Sequence, residues 1–289
     1  MLRETLRRVD LDRVARLTGR TVVAAEPRTE GGYSPGERCV VRFADGGSAF
    51  AKCAPLVEDE HLVYSTVPLP CLPRLVAFEP GLLVTEDLSS ARWGTPVTEA
   101  DADLLAAALD SLRDVVAPAG LGAFPFGPKW RELAAAEAAL LGTGLVDEGW
   151  LRHLPVLVAA EDVPVAGDRL VHADLWLQNW CRAPRGAVLV DWAGASAANH
   201  LAMRVGAEAG VRAAGGPPGR VLRGEPGWAA FYAGVCAWFL TGDLPADLPR
   251  LTETLRREAW ATLCWACDEL DLPYPRPSEA FTSLGPWRP

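Results

Sequence analysis

Three polar side chains lie close together in residues 170–192, LVHADLWLQNWCRAPRGAVLVDW: Asp174, Asn179 and Asp191. Their types suit proton transfer beside a bound cation. A carboxylate such as Asp174 can accept a proton from an attacking hydroxyl. An amide and a second carboxylate supply the oxygen donors that a hard divalent cation takes, its shell normally completed by phosphate oxygens and water. The chemistry open to such a set is phosphoryl transfer to a hydroxyl, where positioning and charge neutralisation matter more than covalent steps.

Those side chains converge only if the backbone bends sharply between them. Ala183-Pro184-Arg185-Gly186 has the composition of a turn, with a preset φ at proline and a permissive glycine. Val188, Leu189 and Val190 form a short β-branched run suited to a buried strand. Pairing of residues 177–182 with 187–190 across that turn sets Asn179 opposite Val190 and Asp191, at a Cβ separation of roughly 5 Å for directly opposed positions. Asp174 then falls in the loop that feeds the hairpin. His172 is assigned to holding that loop by hydrogen bonds, with no part in the chemistry.

Upstream, Asp10 caps a short helix over residues 11–17 that stops at Gly19. A strand starts at 21–23, and Glu30-Gly31-Gly32-Tyr33-Ser34-Pro35-Gly36 forms a glycine-rich loop before the strand at 39–43. Asp45-Gly46-Gly47 closes a hairpin onto a strand at 48–54 that carries Lys52. A helix over 57–67 ends at Pro68, Pro70 and Pro73, and a second hairpin occupies 75–84. From Thr98 the pattern turns helical: 101–116, 129–141, 148–160, 200–214, 227–241 and 250–271. A chain that is β-rich for about its first 90 residues and helical afterwards reads as α+β, a small sheet lobe over a larger helical lobe.

The order His172-x-Asp174-Leu175-x-x-x-Asn179 followed by Asp191-Trp192 resembles the catalytic segment of the aminoglycoside phosphotransferase and choline kinase superfamily, whose fold is protein-kinase-like and bilobal. The Gly31-Gly32-Tyr33-Ser34-Pro35-Gly36 loop resembles the GGxSPG text of its bacterial members. The resemblance implies a mainly antiparallel nucleotide-binding lobe with one key helix at residues 1–87, and a helical catalytic and acceptor-binding lobe at 88–289. It implies ATP or GTP as phosphoryl donor, and Mg2+ held by Asn179 and Asp191. Asp174 would be the base. Gly31, Gly32 and Ser34 would let the backbone approach the triphosphate, and Lys52 would bridge its α- and β-phosphates. The family spacing E-x-x-x-Y selects Glu60, with Tyr64 a turn later, as the partner of Lys52, leaving Glu58 as the fallback. Backbone groups of Thr85 and Asp87 would meet the purine at the interlobe hinge. The sequence departs from the family after Asp191. Where an aspartate usually braces the catalytic loop it has Met203, so Asn199 or His200 would have to substitute.

Composition narrows the partners. The chain has 289 residues, 49% hydrophobic, with a formal net charge of −9, which argues against nucleic acid. That charge is compatible with a cationic acceptor and equally with solubility alone, the simpler reading when no acidic run stands out. No apolar run reaches the ~18 residues that a membrane span requires. The seven cysteines are odd in number and set among apolar neighbours, which reads as reduced thiols in the cytoplasm. Cys264-x-x-Cys267 lies inside a helical pattern without a second pair, and is assigned to the core with the C-terminal tryptophans. No activation segment of the DFG…APE type follows Asp191, so a small hydroxylated acceptor is expected instead of a protein. Antibiotics such as aminoglycosides come first, then metabolites: a sugar, a choline-like amine or an amino-acid derivative. Glu225, Asp243, Glu258, Asp268 and Glu269 are acids able to meet a cationic acceptor, although each reads as surface. Two other classes compete. Nucleotide binding without catalysis is one. A non-haem iron site from His172, Asp174 and His200 is the other, and it leaves Lys52, Asn179 and Asp191 unexplained.

Overall fold

A computed structural model of the chain describes residues 9–28, 36–242 and 249–282. Helix α1 (Leu11–Thr18) begins at Asp10, whose carboxylate accepts from the amides of Asp12 and Arg13, and ends at a left-handed Gly19. It covers one face of a five-stranded antiparallel sheet in the order β1 (Val22–Pro27), β2 (Glu37–Phe43), β3 (Ser48–Cys53), β5 (Leu82–Glu86), β4 (Leu75–Glu79). The two-residue period of the strands divides their side chains. Cys39, Val41, Phe43, Ala49 and Ala51 join Val14, Leu82 and Val84 in a small core. Alternate residues, Lys52 among them, face the other way.

Helix α2 (Val57–Thr66) belongs to the larger core. Its Val57, Val63 and Tyr64 are buried with the apolar residues of the helical part, and it packs on the turn Trp192–Gly194. Helix α2 is therefore one link between the sheet and the segment at 170–192.

The remaining strands and α-helices are β6 (Arg92–Trp93), α3 (Glu99–Leu112), β7 (Gly122–Ala123), α4 (Trp130–Ala135), α5 (Glu137–Gly142), α6 (Leu154–Ala160), β8 (Arg169–His172), β9 (Trp180–Ala183), β10 (Gly186–Leu189), β11 (Ala195–Ala198), α7 (Leu201–Ala213), α8 (Pro226–Leu240), α9 (Pro249–Glu269) and α10 (Glu279–Thr282). Two small sheets, β10-β9-β6 and β7-β11-β8, frame the catalytic segment. Helix α3 starts with a reciprocal capping box between Thr98 and Asp101.

Two expected helices are shorter than the pattern predicts. The run at 129–141 is interrupted at Ala136, which leaves the helical region with φ −123° and ψ 44°. The run at 148–160 has a 3-10 turn at Leu151–His153 and is α-helical only from Leu154, because Pro155 is tolerated in a first turn and not in an interior one. The fold is α+β, with an antiparallel N-terminal sheet and a helical C-terminal part.

Candidate active site

The hairpin takes the expected register. Leu189 pairs with Trp180 and Gly186 with Ala183, and the Val190 amide donates to the Asn179 carbonyl at 2.8 Å. Asn179 thus faces Val190, next to Asp191. The chain leaves the hairpin through Asp191 itself, whose backbone is left-handed at φ 62° and ψ 53°. Aspartate tolerates that conformation better than most residues, and a strained backbone of this kind typically marks a site where a side chain must be aimed.

From the sheet lobe, Lys52 reaches the same point. Its Nζ lies 2.6 Å from Asp191 Oδ1 and is also paired closely with Glu60 Oε1. Lys52 and Glu60 are only 3% and 2% exposed. Burial alone would lower the lysine pKa, but the carboxylates of Glu60 and Asp191 outweigh it and raise it. Burial likewise opposes ionisation of Asp191, and Lys52 overcomes it, holding that carboxyl below its usual range. Tyr64 Oη reaches Glu60 Oε2 at 3.4 Å. The alternative acid, Glu58, instead accepts from the Gly81 amide at 3.0 Å. Of the two acids open on sequence grounds, Glu60 is the one that meets Lys52.

Asp174 is solvent-exposed in the loop that leads from β8 into the hairpin. The protein packed round it, with Asp191 nearby, pushes its carboxyl up to about 6 against the opposing effect of the Asn179 amide. Asn179 Nδ2 donates to the Asp174 carbonyl at 2.7 Å and lies 3.2 Å from Asp174 Oδ2. That commits the amide nitrogen and turns Oδ1 into the donor open to a cation. With the Asp191 carboxylate this gives two hard oxygen sources. The set fits Mg2+, which is usually bound by one or two protein ligands plus substrate phosphates. No group of three or more His, Cys, Asp or Glu suited to a metal occurs among the described residues.

His172 braces the loop. Nε2 pairs with the Val190 carbonyl at 2.8 Å, and Nδ1 accepts from the Asp174 amide at 3.2 Å. Burial takes the imidazole down to about 4, so the ring is neutral near pH 7, donating through Nε2. With both ring nitrogens committed, the iron triad of His172, Asp174 and His200 has no free imidazole at its first position.

Met203 is 1% exposed and packs in the core. The loop is supported differently from the family pattern. Helix α7 presents Gly210, where a Cβ would come within 3.4 Å of the Leu177 amide nitrogen, and Gly206, where one would come within 3.3 Å of Tyr232 Oη. Gly210 thus lets α7 lie against the loop, and Gly206 lets it lie against α8. Asn199 does not substitute: its Oδ1 caps the Leu201 amide and its Nδ2 donates to the Pro164 carbonyl. His200 stands at the start of α7.

Gly31, Gly32 and Ser34 lie outside the described residues, as does Asp243. Thr85 sits inside β5, in register with Phe50 on one side and Leu75 on the other, and Asp87 follows the strand directly. Glu225 and Asp268 are exposed and Glu269 is half-buried. Cys264 and Cys267 are buried in α9, where the surroundings raise both thiols, Cys267 to about 12. Trp228 and Trp265 are core residues.

Glu258 corrects the surface assignment. It is 2% exposed on α9, which packs along α8, and its Oε2 has no hydrogen-bond partner among the described residues. Burial pushes this carboxyl well above its ordinary range, and Asp174 adds to the effect. Tyr232 of α8 feels the charges of both acids and shares a hydrogen bond with Trp176 of the catalytic loop. Helical periodicity alone does not distinguish this position from a solvated one; only the docking of α8 does. A buried polar oxygen without a partner is destabilising, so Glu258→Met should raise stability by about 1–3 kcal/mol. A shift of the urea midpoint to lower concentration would contradict that.

No family model and no curated relative matches the sequence. Solved structures do. A candidate fructosamine-3-kinase from Thermobifida fusca is 18% identical, with a TM-score of 0.52 over 86% of this chain and 98% of its own. The choline kinase LicA from Streptococcus pneumoniae is 12% identical, with a TM-score of 0.52 over 90% and 96%. An aminoglycoside phosphotransferase from Alicyclobacillus acidocaldarius is 13% identical, with a TM-score of 0.52 over 89% and 95%. These neighbours are of the aminoglycoside phosphotransferase and choline kinase superfamily, and the chain has their protein-kinase-like fold.

Proposed function

We propose that this chain is a small-molecule O-phosphotransferase that moves the γ-phosphate of ATP or GTP to an acceptor hydroxyl. The observation that carries the reading is the 2.6 Å contact between Lys52 of the sheet and Asp191 of the hairpin, 139 residues apart. It brings a cation, a cation-binding carboxylate and, through Asn179, a candidate base to one cleft. Residues 1–87 act as the nucleotide lobe and 88–289 as the catalytic lobe, with Gly31, Gly32, Ser34, Thr85 and Asp87 on the nucleotide.

In the reaction the acceptor oxygen bonds to the γ-phosphorus while the bond from that phosphorus to the β–γ bridging oxygen breaks. The electron pair of that bond stays on the departing diphosphate, and the hydroxyl proton passes to Asp174. Lys52 offsets the charge on the α- and β-phosphates, and Glu60 holds it in place. Asn179 and Asp191 would hold Mg2+, which would supply charge neutralisation at the phosphates when bound. His172, and α7 packed against the loop at Gly210, keep Asp174 at a fixed position.

The acceptor we favour carries a protonated amine. The net negative charge is compatible with a cationic molecule. An aminoglycoside or a choline-like amine meets that requirement, and two of the structural neighbours are named for such compounds. A sugar without an amine does not. No helix among the described residues is long and apolar enough to cross a membrane, and buried free thiols suit a reducing cytoplasm. The test is ADP release from Mg-ATP with aminoglycosides, choline and amine-free sugars, with the product identified as a phosphomonoester. Acceptor-dependent ADP formation, faster with amine-bearing acceptors, is expected. Nucleotide binding with no product from any acceptor would leave a non-catalytic module in its place.

A further inference from the structure

The turn of the catalytic hairpin holds an arginine that the reaction above does not use. Arg185 lies between β9 and β10, and its guanidinium crosses to the segment before β4 and to the end of β5. Nε donates to the Pro70 carbonyl at 2.8 Å, Nη2 to the Leu72 carbonyl at 3.3 Å, and Nη1 to Glu86 Oε2 at 3.0 Å. Nη2 also pairs closely with Glu86 Oε1. Glu86 is fixed in turn: its Oε1 accepts from the Arg74 amide at 2.8 Å, and its own amide donates to the Arg74 carbonyl at 3.0 Å. Next to this, the Leu189 amide donates to the Cys71 carbonyl at 2.8 Å.

Two features separate this from an ordinary surface ion pair. The contact is a fork-to-fork pair with two further carbonyls on the same guanidinium, a geometry that lysine cannot reproduce. Its partner, Glu86, lies between Thr85 and Asp87, the two residues assigned to the purine. The base of the same hairpin carries Asn179 and Asp191, assigned to the phosphate end. One short hairpin therefore touches both ends of the nucleotide site.

We propose that Arg185 is a positioning residue for the nucleotide: its grip on Glu86 sets the hinge at a fixed distance from the cation-binding end of the β9–β10 hairpin. The inference rests on the phosphotransferase reading and adds Arg185 and Glu86 to the residues that govern nucleotide recognition. Misplacement of one end of a substrate by about 1 Å can cost on the order of 100-fold in rate. A rigid clamp between the two ends is thus a direct route to catalytic geometry.

The experiment compares wild type with Arg185→Ala, Arg185→Lys and Glu86→Gln, measuring binding of ATP, AMP and magnesium tripolyphosphate by calorimetry. Arg185→Lys keeps the charge and the aliphatic stem, which guards against loss of the fold in the alanine variant. Weakening of AMP and ATP by about tenfold is expected in all three, because the bidentate pair is lost in each. Tripolyphosphate, which has no purine, should bind as in wild type. The double variant Arg185→Ala with Glu86→Gln should be no worse than either single change, as for two partners in one contact. Unchanged AMP affinity, or an equal loss for tripolyphosphate, would overturn the clamp and leave Arg185 a stability residue. Failure of the wild type to bind any of the three ligands would overturn the phosphotransferase reading itself.

Discussion

Turnover should fall by about 100- to 10,000-fold when Asp174 becomes Asn, the range that a positioned general base typically contributes. The substitution is close to isosteric, and the contacts that hold residue 174 are mainly backbone ones. Its amide reaches His172 Nδ1, and its carbonyl accepts from Asn179 Nδ2. Both survive the change, so the loop should keep its shape. Lys52, Glu60 and Asp191 make their own ion-pair network, so nucleotide affinity should change little. What disappears is the proton acceptor, in a side chain that is open to an incoming acceptor. The separation of effects is the diagnostic: kcat lost, nucleotide Kd kept. If Asp174→Asn retained near wild-type turnover, the proton would be leaving by another route and the role given to Asp174 would be wrong.

What the sequence makes legible is what depends on local order. Asp174, Asn179 and Asp191 sit within one hairpin, so turn composition and strand register are enough to bring them together, and the observed pairing of Val190 with Asn179 is the one that composition implies. The helix after Asp10 follows from its two caps, Asp10 and Gly19, whereas the pattern at 148–160 runs through Pro155, whose local signal marks the start at Leu154. Strand β11 is different. Ala195–Ala198 has no β-branched residue and no alternation, and it is a strand because β7 and β8 flank it. The interruption at Ala136 also lacks a local signal. The burial of Glu258 and the reach of Arg185 belong to the same class, since each depends on a segment far away in the chain. Periodicity describes which face of a helix is apolar; it carries no record of which element will dock there. The Met203 departure illustrates the point: the missing aspartate is visible in sequence, whereas the approach of Gly210 to the backbone at Leu175–Leu177 depends on how α7 docks.

Lys52→Met should be both inactive and less stable, by about 3–5 kcal/mol, because removing one partner of a buried ion pair leaves its carboxylates uncompensated. Two carboxylates depend on this one ammonium. Glu60 is enclosed, while the Asp191 side chain is 26% exposed and can recover some solvation. The stability loss should therefore trace mainly to Glu60. Adding Glu60→Gln to Lys52→Met removes that buried charge and should restore much of the urea midpoint. Turnover should not return, because the function assigned to Lys52 needs a cation against the triphosphate, and neutralising Glu60 provides none. Glu60→Gln alone should sit between these extremes, with the lysine retained by Asp191 but less firmly held. Recovery of stability without recovery of rate separates the lysine's electrostatic role in the fold from its role on the nucleotide. Recovery of both in the double variant would show that Lys52 serves only to neutralise Glu60, and the nucleotide-binding reading of the sheet lobe would fall with it.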